Sequence, residues 1–421
     1  MESGRLVGLS TAPAKISDGD LVVINGMIFD GVSDGSVPGG VRIRDGRIVE
    51  VGPRVTAADD PADGRVIDAA GGTIMPGLID AHLHAFAIGL TGELQEVTPR
   101  TYVGVKATRR LSAALARGFT TVRDVAGGDP AFARAGVEGL YWSPRYLYTG
   151  AALSQTGGHG DRRGPESEHC LHGGHGCEVV DGPDDVRRAV RDRFRQGAHA
   201  IKLMTSGGVV SPSDPLRVPQ YSAEEIRVAT EEAGRRGSYV AVHAYSPEAI
   251  IHSVTNGCRT VEHGNLLDAE AAMIMKQHGA FLVPTLAAYE AMRTRGAELG
   301  LPLVAQQKNQ QVLDAGRDSI PTARAAGVPI GFGSDLMGDL QDDQLNGLRL
   351  QADVDGWPNA LRSATSVNAA LIQRDDLGRI AVGAVGDLLV LSGDVFEAPE
   401  VLYDESRPRT VIRSGTVCFD G

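Results

Sequence analysis

The chain has 421 residues, 42% hydrophobic and 22% charged, the balance of a soluble globular protein with room for a large barrel and a smaller second unit. A formal net charge of -12 argues against nucleic acid as the main partner. Four cysteines (Cys170, Cys177, Cys258, Cys418) are too few for a disulfide framework, and no apolar run has the length of a membrane span or the form of a signal peptide, so a cytoplasmic protein without membrane contact is expected.

Residues 1–18 read as disordered or weakly docked. Leu21–Ile28, Gly40–Arg44, Arg47–Val51 and Val66–Ala69 then read as short strands, punctuated by the hairpin signals Asn25-Gly26 and Asp45-Gly46. From Thr73 the rhythm changes to apolar strands alternating with amphipathic helices, the pattern of βα units in a parallel sheet. Eight strands are predicted: Ile74–His82, Thr120–Asp124, Arg145–Gly150, Ala200–Thr205, Tyr239–His243, Thr260–His263, Phe281–Pro284 and Ile330–Ser334. The helices between them carry caps. Pro183-Asp184-Asp185 opens one that stops at Gly197, and Ser222 with Glu225 forms a capping-box pattern closed near Gly237. Ser246-Pro247 and Asp268 open two more, closed at Gly257 and Gly279. A glycine before each next strand suits a left-handed helix cap.

After a last helix near 359–371, Gly378–Ser392 reads as strand, turn, strand, and Thr410–Cys418 as a hairpin. The expected fold is α/β: a (β/α)8 TIM-type barrel over residues 73–372, with a small β-sandwich built from both chain ends, 1–72 and 373–421. A doubly wound open sheet is the competing architecture.

The chemistry concentrates at predicted strand ends. In Asp80-Ala81-His82-Leu83-His84 the two imidazoles sit at i and i+2, on one side of a strand, as one metal ion would need. His243 closes the fifth strand, His263 the sixth, Asp335 follows the eighth, and Lys202 lies in the fourth. In a (β/α)8 barrel all these ends meet on one face. Each residue alone could be a satisfied core or rim group; six together point to a metal-dependent active site. Lys202 sits among Ile201, Leu203 and Met204, where an ammonium is costly. Either an acidic neighbour pairs with it, or it is N-carboxylated and bridges two cations ~3.5–4 Å apart.

PGLIDAHLH, the lysine-bearing fourth strand, VAVHAYS, TVEHGN and GFGSD together resemble the amidohydrolase superfamily and its binuclear members, over nearly the whole chain. LSQTGGHGD (Leu153–Asp161) and Gln220–Glu225 resemble the prolidase-like members that cleave Xaa-Pro dipeptides or N-acyl amino acids, and their relatives that cleave the amide of ochratoxin A. The resemblance implies that His82, His84 and Asp335 bind one divalent ion, His243 and His263 a second, and carboxylated Lys202 bridges both, as does a hydroxide that attacks the carbonyl. Zinc is the default ion; Co, Mn or Fe would also fit. Asp335 is then the proton carrier. His159 is a candidate donor to the oxyanion, the alternative being a flexible loop residue. Tyr221 is a candidate substrate contact, the alternative being an aromatic packed before a helix cap.

The expected reaction is hydrolysis of an amide-type bond in a small molecule, by a homo-oligomer if the resemblance extends that far. Phe86 and Ile88, following the histidine pair, suggest an apolar acyl or aryl pocket. Carbamate or phenylurea hydrolysis is an alternative, as is a mononuclear deaminase, for which Lys202 would have no bridging purpose. A scaffold without metals would have little reason to keep all six groups. His169–Cys177, with three His and two Cys, is expected to be a surface or lid loop, because its spacing matches no zinc finger.

Overall fold

Hairpin chemistry at both chain ends builds one sheet. The computed structural model describes residues 20–56, 64–90, 94, 97–163, 174–211 and 214–421; the readings of residues 1–18 and of His169–Gly173 lie outside these. Strands β1 (Leu21–Ile28), β2 (Val37–Arg44), β3 (Arg47–Gly52), β4 (Arg65–Asp68) and β5 (Thr73–Pro76) join β15 (Leu388–Leu391), β16 (Arg409–Arg413) and β17 (Thr416–Asp420). The order is β17-β16-β15-β5-β1-β2-β3, with β4 also paired to β1. β15 runs antiparallel to β5, Leu388 opposite Pro76, so the chain ends close on each other. Val23, Ile43, Ile74, Leu388 and Ile412 form this sheet's own core.

The barrel strands are β6 (Leu78–Leu83), β7 (Phe119–Asp124), β8 (Arg145–Tyr148), β9 (Ala152–Ser154), β11 (Ile201–Met204), β12 (Val240–Ala244), β13 (Thr260–His263) and β14 (Phe281–Val283). Short β10 (Cys177–Val179) adds parallel to β9. The third predicted strand, Arg145–Gly150, ends at Tyr148 as β8, which pairs with β7; past Gly150 (φ +70°) a further strand, β9, pairs with β11. The eighth predicted strand makes only a single bridge, Leu282 to Ile330. Its ladder is completed by a side chain: Asn368 accepts from the Phe332 N–H at 3.1 Å and donates to the Phe332 and Ile79 carbonyls at 2.7 Å. Gly331 N–H to Leu282 O, Ala81 N–H to Phe332 O and Asp335 N–H to His82 O, at 2.8–3.0 Å, tie this segment to β14 and β6.

Two further sequence expectations change. Ile74–His82 is two strands, because the chain passes from the small sheet to the barrel at Gly77. A Cβ there would lie 2.2 Å from Thr120 Oγ1, so only glycine allows the crossing. Gly378–Ser392 yields one strand, since Gly378 and Gly383 take left-handed φ of +64° and +90° and break the extended run.

The helix caps match the sequence reading. Ser222 and Glu225 form the full capping box, and Ser246 and Asp268 each accept from the third residue beyond. Gly197, Gly237, Gly257 and Gly279 all have positive φ. The helices bury Val190, Ile226, Ile250 and Met275 against Ile201, Val242, Val261 and Leu282. This rigid shell holds the strand ends in place.

Candidate functional site

Strand alternation sends Asp80 and His82 to one side of β6, with His84 just past its end. Asp80, fully buried, braces the turn: its carboxylate accepts from the His82 N–H (3.0 Å), the Ser334 N–H (3.1 Å) and Gln344 Nε2 (2.8 Å). Residues 82–84 and 334–335, far apart in sequence, are thereby held together. His82 Nε2 and His84 Nε2 face each other at 3.3 Å, and Asp335 Oδ1 lies 3.3 Å from the first and 2.9 Å from the second. Two imidazole nitrogens and a carboxylate oxygen aimed at one point form a donor set for a cation.

The other predicted groups line the same cavity: Lys202, His243, His263 and His159 all face it with His82, His84 and Asp335. The His263 ring lies 4.4 Å from His243 and 5.1 Å from His82, and its Nδ1 is 3.7 Å from Asp335 Oδ2. His263 (φ +78°) and Asp335 (φ +53°) leave their strands in the left-handed region, which costs roughly 1–3 kcal/mol each and commonly accompanies functional placement.

Lys202 Nζ is buried and has no hydrogen-bond partner among the described residues. The nearby carboxylate that could have held it, Glu262, is already engaged: it accepts from Arg123 Nη2 (2.7 Å) and Thr260 Oγ1 (2.5 Å) and pairs with His82 Nδ1 (2.8 Å). Burial, reinforced by the Arg123 charge and opposed by Glu262 and Asp335, lowers the Lys202 pKa to about 8. A buried amine left bare beside a cluster of imidazoles fits a group that is modified or meets a cation.

Burial also holds His243 and His263 well below the ordinary histidine pKa, so both rings are neutral, and lowers His159 to about 4 against the pull of Asp214. Burial alone would raise Asp335, but His82 and His84 outweigh it and keep the carboxylate ionised. His159 stacks on His243 with ring centroids 4.2 Å apart. Its backbone N–H donates to Gln220 Oε1 at 3.0 Å, fixing the loop.

Two expectations do not match these positions. Tyr221 does not line the cavity; it packs among Leu153, Val180 and Ile226, and its hydroxyl donates to the Val180 carbonyl at 3.0 Å. Its place before the helix cap turns the ring into the core. Phe86 and Ile88 also pack into the core, leaving Ala87 at the cavity. The apolar wall comes instead from Met204, Val209, Val210, Met292 and Met337, with Tyr245 and Tyr289, around about 690 Å³ of space including the mouth. Tyr245 was within reach of the sequence, lying two residues beyond His243, just past the end of β12. Its hydroxyl meets that of Tyr289 at 2.8 Å, and Tyr289 in turn meets His263 Nδ1 at 2.7 Å.

A parallel barrel with such a cluster at its strand ends has its active site on that face. The amidohydrolase family model matches residues 73–418, and the chain belongs to that family. It is 31% identical over 377 residues to ochratoxinase of Aspergillus niger, covering 83% of this chain and 76% of that protein. The crystal structure of A. niger ochratoxinase superposes with a TM-score of 0.84 at 27% identity, over 96% of each chain. A prolidase crystallised with N-methylphosphonate-L-proline superposes at TM-score 0.92 with 41% identity, over 96% of this chain and all of that one. A Xaa-Pro dipeptidase with bound methionine gives 0.85 and 28%, over 96% and 100%. Among the described residues no helix is long and apolar enough to cross a membrane.

Proposed function

We propose that this protein hydrolyses the C–N bond of a dipeptide, an N-acyl amino acid or an aryl amide of the ochratoxin A kind, with two divalent cations at the site. The observation that carries this reading is the convergence of His82, His84, Lys202, His243, His263 and Asp335 on one apolar-walled cavity. His82, His84 and Asp335 would hold one ion, His243 and His263 the other, with zinc the default for such donors. Bound there, the ions would lower the pKa of water and polarise the scissile carbonyl.

The side chains supply the rest. The Lys202 Nζ lone pair bonds the carbon of CO2 and the nitrogen loses a proton, which turns a bare buried amine into a carbamate with two ligand oxygens. Asp335, held ionised, takes a proton from the attacking water and delivers it to the leaving nitrogen. His159 donates from its ring to the oxygen of the tetrahedral centre. Met204, Val209, Met292 and Met337 exclude bulk water and accept an apolar acyl or aryl group.

The test is a panel of Xaa-Pro dipeptides, N-acyl amino acids, aryl amides, carbamates and phenylureas on metal-replete protein, with products identified by mass and metal counted per chain. Cleavage of an amide to acid and amine, with two ions per chain, is expected. No amide cleaved across the panel, or full activity with one ion per chain, defeats the reading.

A further inference from the structure

The barrel interior holds an ion pair that the reaction above does not use. Glu262 on β13 and Arg123 on β7 are both wholly buried, with Arg123 Nη2 2.7 Å from Glu262 Oε1. Replacing such a pair by apolar side chains is often neutral or stabilising, so fold stability alone is a weak reason for its presence. Its contacts supply another. Glu262 Oε2 meets His82 Nδ1 at 2.8 Å. Arg123 Nε donates to the carbonyl of Ala81, the residue before His82, at 2.6 Å, and Arg123 Nη1 donates to the Tyr239 hydroxyl at 3.1 Å. One Arg–Glu pair therefore grips both the ring of His82 and the carbonyl of the residue before it.

We propose that Glu262, itself held by Arg123, is the positioning residue of the metal site. An ionised carboxylate only accepts, so the proton on His82 must sit on Nδ1. The Nε2 lone pair is then left to face His84 and Asp335, with the ring plane locked. Thr260 Oγ1, at 2.5 Å from Oε1, takes up a further lone pair and stops the carboxylate from rotating toward Lys202. Carboxylates that orient a metal-binding imidazole in this way are worth about 10–100-fold in metal affinity or activity.

This rests on the reading of His82 as a metal ligand, and the test separates the two. Wild type, Glu262→Gln and Glu262→Asp are stripped and titrated with Co(II) against a competing chelator, while the cobalt visible spectrum is recorded. Glu262→Gln should bind Co(II) about 10–100-fold more weakly with a changed absorption envelope, and the reloaded enzyme should lose kcat with KM little altered. Glu262→Asp keeps the charge opposite Arg123 and should fold even if Glu262→Gln does not. It withdraws the carboxylate by one methylene and should show an intermediate loss. A folded variant with wild-type affinity and spectrum overturns the positioning role alone. Wild type that takes up no Co(II) overturns the metal-site reading and this role with it.

Discussion

A Cβ built on Gly208 lies 1.9 Å from Cε1 and 2.2 Å from Nδ1 of His159, so the loop after β11 meets that imidazole with bare backbone. The ring also stacks on His243, with an interplanar angle of 16°. Wedged between a glycine and a second imidazole, His159 has one place to be. Gly208→Ala must push the ring out. If His159 donates to the developing oxyanion, kcat should fall by at least about tenfold and toward the ~10²–10³-fold cost of losing one such donor, with metal content unchanged. Steady-state kinetics beside metal analysis measure this; wild-type kcat in Gly208→Ala would remove His159 from the reaction.

Lys202 gives a chemical test of its own. Lys202→Ala removes the amine but leaves the cavity around it, so the variant should lose metal and activity. Short carboxylic acids should restore part of both by supplying the missing oxygens. Metal per chain and turnover, with and without added propionate, are the measurements. Two ions bound by the unaided variant would mean that Lys202 bridges nothing.

Asp335→Asn preserves size and most hydrogen-bond geometry while removing the charge beside His82 and His84. Turnover should drop by about 10²-fold or more, in line with loss of a proton carrier, with the far-UV circular dichroism unchanged. Turnover at the wild-type rate in Asp335→Asn would exclude Asp335 as that carrier.

Much of this architecture is legible in the residues because local rules apply to them. The pair His82 and His84 follows from the two-residue strand repeat, and the capping box at Ser222 and the glycines at 197, 237, 257 and 279 follow from helix-end chemistry. Contacts between distant segments are not legible in this way. Gly77 gives no sign that it switches sheets until Thr120 is seen against it. Asn368 replaces a strand ladder from 36 residues away. Tyr221 lies in a motif that resembles a substrate contact, yet the ring turns inward to Val180. Arg123 and Glu262 are charges inside strands that are buried throughout, and which partner each takes depends on how distant strands come together.

His199 should give a pH dependence of stability that is separate from the candidate cation site. It lies in the turn just before β11, its ring edge-on to Tyr239 at 5.8 Å, and its Nε2 is buried without a hydrogen-bond partner among the described residues. Burial, with the Arg123 charge adding to it, lowers its pKa from the ordinary 6.5 to about 4. Between those values the unfolded chain takes up a proton that the folded one refuses, so acid favours unfolding in that window. The stabilisation from a neutral His199 is complete above about pH 6.5, declines as pH falls, and is gone below about pH 4, a total of up to about 3 kcal/mol. His199→Gln cannot titrate, and other groups cancel in the comparison. The stability difference between wild type and His199→Gln should therefore shift against wild type by up to this amount between pH 7 and pH 4. Urea midpoints across that range measure it, and two curves that stay parallel would show that His199 titrates alike in both states.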